Sequence, residues 1–367
     1  MKTHQVQQKT ERRISAALRL VFVAALLLGQ IALAFFLSTE LRQRAAIIYT
    51  VLELAAFGYA VRIYNRTDGA SYKFGWIFLV LTVPVVGLIL YFLWNGDRQQ
   101  KRLDLKKLPM PEEPEAQQAA HRIQMEKLRR KFPQWERLSV YLSRQGYLLY
   151  GDTETTYLPT GEAFLQDMLE KLEQAEHFIF LEFFIIAQGQ IWDRMEEIFR
   201  RKAAEGVEVK IIFDDFGSMM RFPAGQIEAL RESGVEVQIF NPVHHYVNRL
   251  YFNYRDHRKI VCIDGSTAYT GGANVADEYA NLTVRFGYWK DCGIRLDGPG
   301  AWGLTREFLH MWQRNGGQLM QERDYYRPHD HREAAGFCQP FVDGPDNNPI
   351  STAEDVFLHL INNARRS

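Results

Sequence analysis

Apolar residues fall along this chain in two rhythms. In the first 95 positions they gather into long runs, whereas beyond Ser139 they come in short bursts separated by stretches of helical period. Leu20 to Leu37 is apolar apart from Gln30, close to the roughly 20 residues that cross a bilayer. Lys9, Arg12, Arg13 and Arg19 precede it as in a signal peptide, but no small-x-small cleavage pattern follows and a second run begins at Ala45, so an uncleaved anchor is expected. That second run, Ala45 to Val61, is short and carries Glu53, which reads as a buried or interfacial helix. The third, Phe74 to Trp94, has no charge and places Trp76, Tyr91 and Trp94 near its ends, which predicts the firmest membrane span. Basic residues flank all three runs. Two spans with one surface helix reconcile them with a cytoplasmic C-terminal portion.

Past Gly96 the chain turns polar and Pro-punctuated, predicting a linker and then a helix to about Lys131. From there apolar, β-prone bursts at His177–Ile186, Val207–Phe213, Val235–Phe240, Lys259–Ile263 and Asp291–Leu296 alternate with helical stretches at Trp192–Ala204 and Ala224–Glu232. The fold class is therefore α/β: a sandwich whose largely parallel or mixed sheet is flanked by helices. The expected division is a membrane anchor over 1–95, a polar linker and helix over 96–138, a catalytic α/β half over 139–345, and the start of a further half over 346–367.

Composition narrows the chemistry. The 44 basic and 44 acidic residues cancel, so no global basic field points to nucleic acid. Cys262, Cys292 and Cys338 are far apart and odd in number, which fits neither a disulfide framework nor zinc. The strongest signal is Asn253 to Glu278, where His257, Lys259, Asp264, Gly271, Gly272 and Asn274 follow the order HxKxxxxDxxxxxxGGxN. Residues two apart on a strand share a face, so His257 and Lys259 converge on one ligand. A neutral imidazole attacks phosphorus, an ammonium neutralises phosphate oxygens, and a Gly-Gly turn with the Asn274 amide lets donors approach the same oxygens. No metal or cofactor is required.

This spacing resembles the HKD motif of the phospholipase D superfamily. The resemblance implies that His257 is the nucleophile, that Lys259, Gly272 and Asn274 bind phosphate, and that Asp291 orients His257. Asp264 completes the catalytic motif by position; its favoured role is to hold the turn after its strand. Further blocks, FIFLEFFII, VKIIFDDFGS, GGANVADEY and GYWKDCGIRLDGP, resemble the first catalytic half of bacterial cardiolipin synthases, and the third apolar run resembles their N-terminal hydrophobic signature. The implied reaction joins two phosphatidylglycerols into cardiolipin plus glycerol through a phosphohistidine, at the bacterial plasma (inner) membrane, on a multi-pass protein with a cytoplasmic catalytic domain. The implied partners are phosphatidylglycerol and membrane lipid.

Asp214 and Asp215 end a strand and read either as site liners or as a helix cap. His244 and His245 read as solvated loop, and His329 and His331 lack further convergent ligands. The family's second HxKxxxxD is missing, because His310, His329, His331 and His359 do not have the spacing. Leu358 to Arg365 resembles the helix that precedes the first FIFLE strand, so the chain reads as a first half with the opening of a second. Two classes stand: an enzyme completed by a homodimer or by a separately encoded second half, and a catalytically incomplete membrane-anchored fragment that binds phosphate. A phosphodiesterase using water is the third reading.

Overall fold

The computed structural model describes residues 42–66, 70–94, 114–242, 255–285, 287–327, 334–344 and 351–364, with a few positions between 24 and 32. The first apolar run lies mostly outside the described residues, as do His244, His245, His329 and His331. The chain divides into two compact units, one of residues 1–103 with 243–254 and one of the rest.

In the smaller unit, α1 (Arg42–Tyr64) contains Ile47–Tyr64, 18 residues of mean hydropathy 1.4, the one described helix long and apolar enough to cross a membrane. The third run is not a continuous span. It forms α2 (Ala70–Thr82) and α3 (Pro84–Trp94), broken at Val83. Proline has no N–H and its ring collides with the carbonyl one turn back, so Pro84 ends one helix and opens the next. The expected ranking of the second and third runs is thereby reversed. Ala56, Ile63, Val80 and Tyr91 form the buried centre of this unit.

The larger unit is built on a seven-stranded mixed sheet in the order β1-β7-β6-β5-β2-β3-β4. Its strands are β1 (Glu154–Leu158), β2 (Phe178–Phe183), β3 (Glu208–Asp214), β4 (Glu236–Phe240), β5 (Lys259–Ile263), β6 (Thr267–Gly271) and β7 (Gly293–Asp297). β2, β3 and β4 run parallel, joined by α7 (Gln190–Ala204) and α9 (Ala224–Glu232), while β5, β6, β7 and β1 pair antiparallel. Every residue of β2 is buried, as a central strand covered on both faces requires.

Two apolar layers follow from strand alternation. Ile179, Leu181 and Phe183 meet α6 (Gly161–Leu172) and α7 through Phe164, Met168, Trp192 and Phe199. Thr160 caps α6 by accepting from Ala163 N at 3.1 Å. Phe178 and Phe180 face α10 (Ala301–Arg314), with the Phe180 and Phe308 rings stacked at 4.7 Å. The predicted helix in the linker is α4 (Glu115–Lys131). It is followed by α5 (Glu136–Arg144), and the short α8 (Asp215–Ser218) and α11 (Glu322–Tyr325) complete the unit with α12 (Thr352–Asn363).

Candidate active site

Ladder pairing of β5 begins at Lys259, opposite Phe183. His257 stands two residues before it, so strand alternation brings both side chains to one face. Lys259 Nζ donates to the His257 carbonyl at 2.5 Å and lies 3.2 Å from His257 Nδ1. Phe184 forms the wall beside them, its ring 4.8 Å from the imidazole and 5.7 Å from the ammonium.

Burial first, and then the adjacent Lys259 charge, hold the His257 imidazole below its ordinary range, so it is neutral at pH 7. Lys259 is buried and its ammonium is pushed down to about 8, against the pull of Asp256 and Asp291. The pair therefore offers a neutral nitrogen and a cation side by side at neutral pH, the charge states that attack on a phosphodiester needs.

Residues 255–258 lie outside the ladder and are fixed by side chains. Asp214, fully buried at the end of β3, accepts from Asp256 N at 2.9 Å and from Arg255 Nη1 at 3.2 Å. It also accepts from Phe216 N at 2.8 Å, so it caps α8 while clamping the motif. Burial raises the Asp214 carboxyl to about 6. On the opposite face of β5, Arg258 Nε meets Glu182 at 2.7 Å and Asp256 at 3.0 Å. Burial pushes the Asp256 carboxyl up, but Arg258 and Glu182 together bring it below its usual range. Sequence reading missed Glu182, Asp256 and Arg258. The signal was a lone carboxylate in an otherwise apolar strand and a charge pair alternating with His257 and Lys259.

Asp264, at φ +52°, accepts from the backbone of Glu176, His177 and Phe178 at 2.8, 2.7 and 2.7 Å. It ties the β5–β6 turn to the entry of β2 and lies at the far end of β5 from His257, so its place is that of a turn holder. Asn274 is buried between Ile185 N, which donates to its Oδ1 at 3.0 Å, and Tyr279 Oη, to which its Nδ2 donates at 2.9 Å.

Two expected contacts take another form. Gly272 N donates to Cys292 O at 3.1 Å, and a Cβ on Gly271 would stand 2.6 Å from that same carbonyl. The glycines thus allow β6 and β7 to approach, and the Gly272 N–H is committed to that join. Asp291 accepts from Cys292 N at 2.8 Å, and no bond from it to His257 occurs among the described residues. An ammonium can only donate, so Nδ1 facing Lys259 acts as acceptor and the ring proton sits on Nε2.

Residues 168–284 match the family profile described as cardiolipin synthase, PLD-like domain, and residues 54–95 match one described as phospholipase D-nuclease N-terminal. The larger unit carries a phospholipase D-like domain of the cardiolipin synthase type. The cardiolipin synthase match contains His257, Lys259, Asp264 and Asn274 and ends before Asp291. An uncharacterised protein of Streptococcus mutans is 35% identical over 296 residues, covering 79% of this chain and 63% of that protein. Cardiolipin synthase 2 of Bacillus anthracis is 30% identical over 316 residues, covering 86% of this chain and 61% of its own length. The major cardiolipin synthase ClsA of Bacillus subtilis is 28% identical over 322 residues, covering 83% and 64%. The chain thus spans 61% to 64% of the length of these curated relatives.

Proposed function

We propose that this chain is a cardiolipin synthase-like phosphatidyltransferase that joins two phosphatidylglycerols at the bacterial plasma membrane. The observation that carries the reading is the His257–Lys259 pair, a neutral imidazole beside a buried ammonium. His257 attacks the phosphorus of one phosphatidylglycerol, forming the P–N bond as the P–O bond to glycerol breaks. The hydroxyl of a second phosphatidylglycerol then attacks the same phosphorus, the P–N bond breaks, and cardiolipin is released. Lys259 neutralises the phosphate oxygens throughout, while Asn274, bonded to Ile185 N and Tyr279 Oη, holds the segment after β6 beside the end of β2.

Phosphate binding draws Lys259 Nζ away from the imidazole. The ring proton then shifts through solvent from Nε2 to Nδ1, where Asp291 accepts it, and the bare Nε2 is left as the attacking nitrogen. A second imidazole, supplied by an identical copy of the chain or by a separately encoded half, protonates the departing glycerol and, left neutral, takes the proton of the acceptor hydroxyl in the second step. Cardiolipin synthases among the relatives, matched over more than four fifths of this chain, support the lipid substrate. Ile47–Tyr64 supports the membrane location, and the cytoplasmic side is assigned to the catalytic unit from the basic residues that flank the apolar runs.

The test is product identity from labelled phosphatidylglycerol in vesicles. Cardiolipin and free glycerol are expected. Phosphatidic acid alone makes the chain a water-using phosphodiesterase, and no product from the chain alone or with its relatives' C-terminal halves makes it a phosphate-binding fragment.

A further inference from the structure

The third apolar run folds back on itself. Trp76 in α2 and Tyr91 in α3 are 15 positions apart, which a straight helix would separate by about 22 Å, yet their rings meet edge to face at 5.4 Å. The turn is built from Val83, Pro84 and Gly87. Gly87 N donates to Val83 O at 2.6 Å, and a Cβ on Gly87 would stand 2.5 Å from Leu79 O and 2.7 Å from Val80 Cα. Only glycine lets the two helices approach this closely.

Neither arm crosses a bilayer. Helices of 13 and 11 residues reach about 20 and 16 Å, short of the roughly 30 Å of hydrocarbon. Their outer surface is nonetheless apolar: Phe74, Phe78 and Leu81 are exposed, beside Val51, Leu54 and Phe57 of α1. Lys73, at the base of α2, donates to Tyr64 O at 3.2 Å and Arg66 O at 3.0 Å, so the cation sits where α1 ends and α2 begins. Arg62 and Arg66 stand at the same level, and Arg98, Lys101 and Arg102 follow the second arm.

We propose that α2 and α3 form a re-entrant hairpin that enters the leaflet from the side where α1 ends, turns at Pro84–Gly87 within the hydrocarbon, and returns to that side. The inference rests on the membrane reading above. It puts both basic clusters on one face of the bilayer, where a straight third span would place them on opposite faces, against the bias of basic loops to one side.

The test labels Tyr64→Cys and Asp97→Cys variants with a membrane-impermeant maleimide in sealed vesicles of each orientation, locating the labels by peptide mass mapping. Both positions are expected to react from the same side. A Pro84→Ala, Gly87→Leu double variant, in which the close approach is blocked, is expected to move position 97 to the opposite side. Labelling of positions 64 and 97 from opposite sides in the otherwise native, membrane-bound chain overturns the hairpin. Recovery of the chain in the soluble fraction overturns the membrane reading instead.

Discussion

At the scale of single residues, the site is a matter of charge states. In the proposed reaction His257 must be neutral to attack and Lys259 charged to hold phosphate. Lys259 is held near 8, so its ammonium is present below that pH and is lost as pH rises through it. The rate of phosphatidylglycerol turnover should therefore fall on the alkaline side with a midpoint near 8, and on the acid side only below the ordinary range of histidine. Asp256 pulls the Lys259 value upward from behind the strand, alongside Asp291 on the open side. Replacing Asp256 by Asn keeps an acceptor for Arg258 and removes the charge, so the alkaline midpoint should move down by about half a unit to one unit. A pH–rate profile of that variant with an unmoved midpoint would assign Asp256 a packing role alone. Asp264→Ala strips three backbone N–H groups of their acceptor and should cost about 2 kcal/mol in denaturant unfolding, with the titration of Lys259 unchanged.

At the scale of elements, legibility followed burial and punctuation. β2 to β5 were readable because each is a compact apolar burst bounded by polar or glycine residues. α10 was missed for the opposite reason. Nearly all its length is buried, and its polar positions lie inside on specific partners, Arg306 and His310 on Glu322 and Gln313 on Met320 O, where composition would place such residues at the surface. β6 is short and half-polar, TAYTG, and takes its place from pairing with β5 and β7 more than from its own composition. The third apolar run was misjudged because hydropathy counts residues and ignores Pro84 and Gly87, which the chain uses to turn. The stacked Phe180 and Phe308 join β2 to α10 on the face opposite the α6 and α7 layer. Phe308→Ala should cost about 3–5 kcal/mol, read as a lowered midpoint in denaturant unfolding of the larger unit.

At the scale of the whole molecule, the nearness of His257 and Lys259 followed from sequence spacing alone, while the residues that support them did not. His257 and Lys259 follow from a period of two. The lattice of Asp214, Glu182, Asp256 and Arg258 depends on β2 and β3 ending beside the start of β5, and no local pattern encodes that adjacency. The same holds for Gly271 and Gly272, whose place between β6 and β7 answers to sheet packing. A smaller unit with one described helix long and apolar enough to cross a membrane, and a phospholipase D-like domain in the larger unit, suit the substrate held in the bilayer that the proposed phosphatidyl transfer uses.

The most direct test of His257 as nucleophile is the rate of labelled glycerol release from phosphatidylglycerol, with the wild-type chain beside His257→Ala under the same conditions. The proposed mechanism predicts release by the wild type and a loss on the order of 10³-fold or more in the variant. Release by His257→Ala at the wild-type rate would contradict it.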